Sequence, residues 1–496
     1  MRSGNGNNLY FVYGDNTSLD GGSGNDTVVI ADGTSGHTIN TGEGNDKVSG
    51  KTLDNSSINL GGGNNSLELG QVSNSAIAAG DGHNTIKTGA LANTSMTLGN
   101  GNNSITASRL YNDSTIVTGD GNNSLQCNSL GNTESVFGPA SSATVVFGNG
   151  DNNVKIYEML HQSALGMGNG NNNVDIYELE QQSSLIMGDG NNTVKIYETE
   201  DSSSVMIGNG NNRINIYELE QQSSLSVGGG NNTIKIYETE NSSSVTVGNG
   251  NNSMELYAML HASAVNAGNG NNSMRVYEMQ QDASLALGNG HNALTVGRMG
   301  DGASAALGDG NNDVLIGALT QAASLSSVPG HNRLRLFMSP APASLRFRDG
   351  AHRAASARRP DTVFLRRSDS LDIFSLRDMS PEDYLELAAE LEEQRRERLG
   401  LDLPVTPRPG GEVSGEAPDD SSGEASGEAS GDALVKGITG EATAEDEKKL
   451  AASFAAPWND HNRHAGRGRR SRGHAATHFY MDRRRGEQES SIEVSA

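Results

Sequence analysis

Cysteine is almost missing from the 496 residues: Cys127 stands alone, which excludes an internal disulfide and a cysteine-based zinc cluster. Aromatic residues make up only 4% of the chain and hydrophobic ones 34%, too thin a supply for conventional globular cores at this length. No apolar run is long enough for a signal peptide or a membrane span, and the opening MRSGNGNNLYFVYG enters a glycine-rich pattern at once. The expectation is therefore a cytosolic protein, or one exported without a cleaved leader; a fragment of a longer parent is the other alternative. Basic residues are also in deficit, 36 against 60 acids, for a net charge of −24. That balance argues against a nucleic-acid-binding body and for solubility or association with cations. Catalytic motifs are missing too. HExxH, a nucleophile elbow and GxxxxGK[ST] do not occur, and the acids recur in columns rather than converging on one pocket, so the expectation is a protein that is not an enzyme.

What the chain has in abundance is period. Its 63 glycines, with many Asn and Ser, would suggest disorder if scattered, but they recur at fixed positions. Turns of the form GxG begin at Gly4, Gly22, Gly42, Gly61, Gly80, Gly99 and Gly119, then at Gly148 and every 20 residues to Gly308, with a degenerate copy at 328–332. One step, from Gly119 to Gly148, spans 29 residues, and the surplus around 131–142, including Pro139, is expected to bulge as a loop. In the unit from Gly188 to Ile207, GDGNNTVKIYETEDSSSVMI, Val194 and Ile196 alternate with Lys195 and Tyr197, and Val205 and Ile207 with Ser204 and Met206. Each copy thus offers two short strands of period two, opened by a turn in which glycine permits positive φ and Asn bonds its own backbone. One copy cannot cover its own apolar face, whereas copies stacked in register bury a continuous core. The expected fold is all-β, a β-roll-like parallel β-solenoid over 1–340 with about 17 coils of 18–20 residues.

Beyond Pro340 the composition changes. Residues 341–379 are arginine-rich and suit a cap or linker over the open solenoid end. Ser380, Pro381, early acids, late arginines and Gly400 signal an amphipathic helix over 380–400. An SGEA-rich stretch at 401–442 reads as solvated linker, and 443–496 as a short helix and a basic tail with RGRRSRG from Arg467, so that most of the tail is expected to be disordered.

The stretch GGSGNDTVV, Gly21 to Val29, fits the nonapeptide GGxGxDxUx completely, and this part of the chain resembles the RTX family, the hemolysin-type calcium-binding repeats of secreted bacterial proteins. The resemblance implies that turn carbonyls and the Asp coordinate Ca²⁺ between neighbouring coils. Carried over by position, the implied metal residues are Gly22, Gly24 and Asp26, then Gly42, Gly44 and Asp46. Elsewhere the chain departs from the family. The other fifteen coils put Asn at the position of Asp26, from Asn8 and Asn65 through Asn192 to Asn332, and the second edge, YETEDSSS in the unit quoted, lacks glycines. An amide oxygen coordinates without neutralising charge. Those coils therefore suit a ladder of stacked amides better than a metal.

Three further columns recur at the 20-residue period. Glu158, Glu178, Glu198, Glu218, Glu238 and Glu278 stack like charges, which divalent ions would relieve unless the side chains splay into solvent. Lys155, Asp175, Lys195, Asn215, Lys235, Glu255 and Arg275 alternate in sign for much of their length and suit register-setting. Tyrosines at 157, 177, 197, 217, 237, 257 and 277 form either a surface-binding row or a shield for the sheet. The function expected is that of a non-enzymatic secreted bacterial repeat protein, with calcium in the N-terminal coils only and a structural, adhesive or surface-binding role toward a cell-surface glycan or host protein. Export would follow the leaderless type I route of the RTX family, or type III secretion if the chain is an effector or harpin-like elicitor. A repeat remnant of a toxin or hydrolase without its catalytic domain is the third alternative.

Overall fold

The structure, a computed structural model, describes residues 4–132, 140–319, 322–327, 332–338, 344–347, 362–364 and 370–373. The chain divides into two units, Met1–Thr406 and Pro407–Ala496, and all the described residues belong to the first. The second unit lies outside the described residues, as do the helix expected at 380–400, the SGEA-rich stretch and the basic tail.

The described residues are all-β and form a parallel β-solenoid, as the period requires. Every coil gives one strand to each of two parallel sheets. In the unit opening at Gly188 the longer strand is Thr193–Thr199 and the shorter is Ser204–Ile207. Val194 pairs with Val174 in the coil before and Ile214 in the coil after, so identical positions stack. A one-residue slip would turn that apolar column outward and drive Asp175 and Lys195 into the core, which fixes the register. The longer strands together make an 18-stranded sheet.

Val194, Ile196, Val205 and Ile207 point inward and are at most 4% exposed. Strict alternation would also send Glu198 inward. Instead the ladder passes from Ile196 to Glu198 without pairing Tyr197, Tyr197 and Glu198 both stay partly exposed, and Thr199 takes the inward place. The equivalent inward residues are Leu179, Leu219, Met259 and Met279. Cys127 is one more inward residue, and burial pushes its thiol up to about 12.

In this coil the second edge turns without glycine. Asp201 and Ser202 have φ of 54° and 62°, and Ser203 N donates to Glu200 O at 3.2 Å, a turn with two successive left-handed residues. The same pair is Gln181–Gln182, Gln221–Gln222 and His261–Ala262 in other coils. Ser203 is buried, and its Oγ accepts from Ser183 N at 3.2 Å while its own N donates to Ser223 Oγ at 3.1 Å, so a serine column lines the inside of this edge.

The 29-residue step is pinched off at its base. Asn132 N donates to Ser141 O at 2.8 Å and Ser141 N to Asn132 O at 2.9 Å, and coil-to-coil pairing resumes beyond it, Leu125 opposite Val154. The sheets also run on past residue 340. Ser344–Phe347 and Thr362–Phe364 extend the short-strand sheet, and Ser370–Ile373 pairs with Arg333–Met338. Part of the arginine-rich segment is thus solenoid strand. Among the described residues no helix is long and apolar enough to cross a membrane.

Candidate metal centre

The first turn of each coil closes around one side chain. Asn192 is fully buried. Its Oδ1 accepts from Asn172 N and from Asn172 Nδ2, both at 3.1 Å. Its Nδ2 donates to Gly188 O at 3.1 Å and Gly190 O at 3.2 Å within the turn, and to Asn212 Oδ1 at 3.1 Å in the next coil. Its backbone N donates to the same Asn212 Oδ1 at 3.0 Å. Gly190 has φ of 142°, and a Cβ on Gly210, its successor, would strike the Gly190 carbonyl oxygen, so the stack tolerates only glycine there. Fourteen such asparagines, Asn65 to Asn332, are buried, while Asn8 in the first coil is partly exposed. In these turns the glycine carbonyls that a cation would need are already taken by amide N–H groups.

Asp26 and Asp46 occupy the same place and are 1% exposed. Asp26 Oδ1 accepts from Asn8 N at 2.8 Å and Asn8 Nδ2 at 3.1 Å, and Asp46 Oδ1 accepts from Asp26 N at 2.7 Å, bonds equivalent to those of the Asn column. Oδ2 of each aspartate is buried with no hydrogen-bond partner. Since Oδ1 is fixed by the shared bonds, Oδ2 stands where Nδ2 stands in the other coils, an acceptor in place of a donor beside the turn carbonyls. An ideal Cβ on Gly21 would lie 2.5 Å from Asp26 Oδ2 and 2.6 Å from Thr41 O, so Oδ2 and a carbonyl of the next coil converge on that glycine.

The backbone differs as well. Gly22 and Gly24 have φ of 96° and 123°, Gly42 and Gly44 of 96° and 143°. From Gly80 onward the first glycine of the turn leaves that region, Gly188 included. The residues named from the nonapeptide thus lie in two stacked turns joined through Asp26 N and Asp46 Oδ1. A buried, unpartnered carboxylate oxygen among carbonyl oxygens is a hard, all-oxygen donor set, and it fits Ca²⁺ better than a transition metal.

The acidic column lies on the longer strand, half-buried rather than splayed. Glu158, Glu178, Glu198, Glu218 and Glu238 pair directly from coil to coil, and Ala258 interrupts the column before Glu278. A second column, Glu180, Glu200, Glu220 and Glu240, runs beside it. Its signal was already present in the recurring ELEQQ and ETE strings. Glu178, Glu180 and Glu198 bring carboxylate oxygens within 4.8 Å of one another. Burial first, and the neighbouring carboxylates second, push Glu178 and Glu220 up to about 8 and Glu180 and Glu218 up to about 7.

The seven tyrosines stack with ring centroids 4.6–5.0 Å apart, and most adjacent planes lie within 11° of parallel. Neighbouring rings therefore occupy each other's faces, and the row offers edges and hydroxyls to solvent. Lys195 Nζ donates to Tyr197 Oη at 2.7 Å and sits 4.5 Å from the ring centroid, while Lys235 and Glu255 approach to 3.9 Å. The mixed-sign column therefore links to the aromatic one and helps hold the register.

A scan against protein-family models and searches of curated proteins and of solved structures return no match for this chain.

Proposed function

We propose that the protein is a non-enzymatic, RTX-like repeat scaffold that binds Ca²⁺ at the Asp26 and Asp46 turns and carries a long amide-laddered remainder that needs no metal. The observation that carries this proposal is the pair of buried aspartate Oδ2 atoms without partners, in a column where every buried Asn has its amide satisfied. Gly22, Gly24, Asp26, Gly42, Gly44 and Asp46 would hold the ion through carbonyl and carboxylate oxygens. Bound there, Ca²⁺ would neutralise the two carboxylates and tie the opening coils together. The role proposed for the whole is structural or adhesive, outside the cell, with calcium in the surroundings setting the order of the first coils.

Isothermal titration of the full chain with CaCl₂ tests this directly. Saturable binding that Asp26→Asn and Asp46→Asn together abolish, while Asp189→Asn leaves it unchanged, is the expected result. Binding that survives the double substitution, or no binding at millimolar Ca²⁺, overturns it.

A further inference from the structure

The two sheets of the solenoid carry their charge very unequally. The longer strands display acids and bases in most coils, whereas the fifteen short strands from Thr38–Asn40 to Ser324–Ser327 contain no Asp, Glu, Lys, Arg or His at all. In a chain with 36 basic and 60 acidic residues, that face is flat, small-chained and uncharged.

It is also where apolar side chains stand in solvent. Outside the first coil and apart from Tyr157, the exposed large hydrophobics of the described residues are Val117, Val146, Ile186 and Met206, each 40–45% exposed. They stack in one outward column, broken only by Gly166 between Val146 and Ile186. Nothing in the chain's own packing calls for glycine at 166. Its φ is not positive, and an added Cβ would meet its nearest atoms at 3.9 Å, an ordinary contact. The stripe therefore holds a dimple that its own chain does not explain, next to a protruding Ile.

We infer that this face is the interface of a face-to-face homodimer, with a second copy of this chain as the occupant and its coils in reverse order. A two-fold axis lying in the interface parallel to the strands keeps each outward column over its own copy and reverses the coils. Placed between the strands Ala164–Met167 and Ser184–Met187, it sets Ile186 of each copy into the Gly166 dimple of the other. That point is also the midpoint of the strands from Thr38–Asn40 to Ser304–Leu307, so fourteen of the fifteen uncharged strands are covered, all but Ser324–Ser327.

Outside the centre Val146 meets Met206, apolar against apolar, and Thr97 meets Thr246, while Asn59 meets Ala286 and Ala78 meets Asn266, large against small. Fourteen strands at about 4.8 Å spacing and roughly 13 Å width bury on the order of 850 Å² per copy, the size of a stable interface. A partner of different charge is not called for, because two strongly acidic copies meet only where neither carries charge.

Sedimentation velocity of the full chain across 1–100 μM, as rough bounds of a standard-affinity dimer, tests the pairing. The wild type is expected to sediment as a dimer. Ile186→Lys places an unpaired charge in the centre and is expected to weaken association by at least about a hundred-fold with unchanged far-UV circular dichroism. Gly166→Trp fills the dimple and is expected to do the same, whereas Thr193→Lys on the opposite sheet leaves the dimer intact. Spin labels on Asn266→Cys are expected roughly 45 Å apart for reversed coils, against about 10 Å for parallel ones. A monomeric wild type at the highest concentration, a dimer indifferent to both Ile186→Lys and Gly166→Trp, or the short label distance overturns the inference.

Discussion

Replacing Asn212 by alanine removes one link of the buried amide ladder, and its cost follows from the bonds lost. Asn192 N donates to Asn212 Oδ1 at 3.0 Å, and without that oxygen a fully buried backbone N–H has no partner. Asn192 Nδ2 keeps its bonds to Gly188 O and Gly190 O but loses the one to Asn212. The Asn212 amide also withdraws from Gly208 O at 3.2 Å, Gly210 O at 3.1 Å and Asn232 Oδ1 at 3.0 Å. An orphaned buried N–H costs about 1–3 kcal/mol and each of the four further lost bonds roughly 0.5–1.5, so a destabilisation of about 3–9 kcal/mol is expected. Asn211 is the control: it is exposed, its Oδ1 accepts only from Asn231 N, and water replaces it, so Asn211→Ala is expected to cost under about 1 kcal/mol. A solenoid opens coil by coil, so hydrogen exchange is the assay. Amides 192–196 and 212–216 are expected to exchange at least about a hundred-fold faster in Asn212→Ala. Protection within about tenfold of wild type would refute the ladder as a source of stability.

Asp46→Asn completes the ladder at a coil where a carboxylate oxygen lacks a partner, so in chelator it is expected to raise the melting temperature of the first coils, by the equivalent of about 1–3 kcal/mol. The glutamate block gives a pH dependence of definite sign. Folded-state values of about 7–8 lie above the ordinary 4.5, so the folded protein holds protons that the unfolded chain has released. Stability is then highest below about pH 4.5 with respect to this block and falls as pH rises through 7–8; melting at pH 5 and pH 8 checks the direction, and Glu218→Gln is expected to raise stability at pH 8 but not at pH 5. Ala262 holds φ of 59° in the second-edge turn, which costs a side chain roughly 1 kcal/mol that glycine does not incur. Ala262→Gly is therefore expected to stabilise its coil by about that amount in urea unfolding, and a loss of stability would count against the turn geometry.

The solenoid and its register were legible because period and alternation act together: once Val194 and Ile196 face inward, the 20-residue repeat places Val174 and Ile214 beside them. What escaped depends on depth rather than order. Asn191 and Asn192 are the same residue side by side, yet one is exposed and the other is the buried rung of the ladder. Only the closed turn separates them. Strict alternation likewise gives no warning that the ladder skips Tyr197, and that step is what leaves the glutamates half-buried instead of turned into the core. The second acidic column was written in the sequence but carries no meaning until the two columns lie on one surface. The residues proposed to hold the metal were legible by position alone, since a nonapeptide match says which side chain faces the turn. That Asp26 and Asp46 each leave an oxygen unsatisfied is a matter of geometry.

Hydrogen exchange of the full chain in calcium and in chelator tests most directly the division between a calcium-dependent beginning and a metal-free remainder. Chelation is expected to deprotect the amides of Asp26, Thr27, Asp46 and Lys47 while leaving those of Asn192, Thr193, Asn212 and Arg213 unchanged. Uniform deprotection of both groups, or no change in either, would contradict the account.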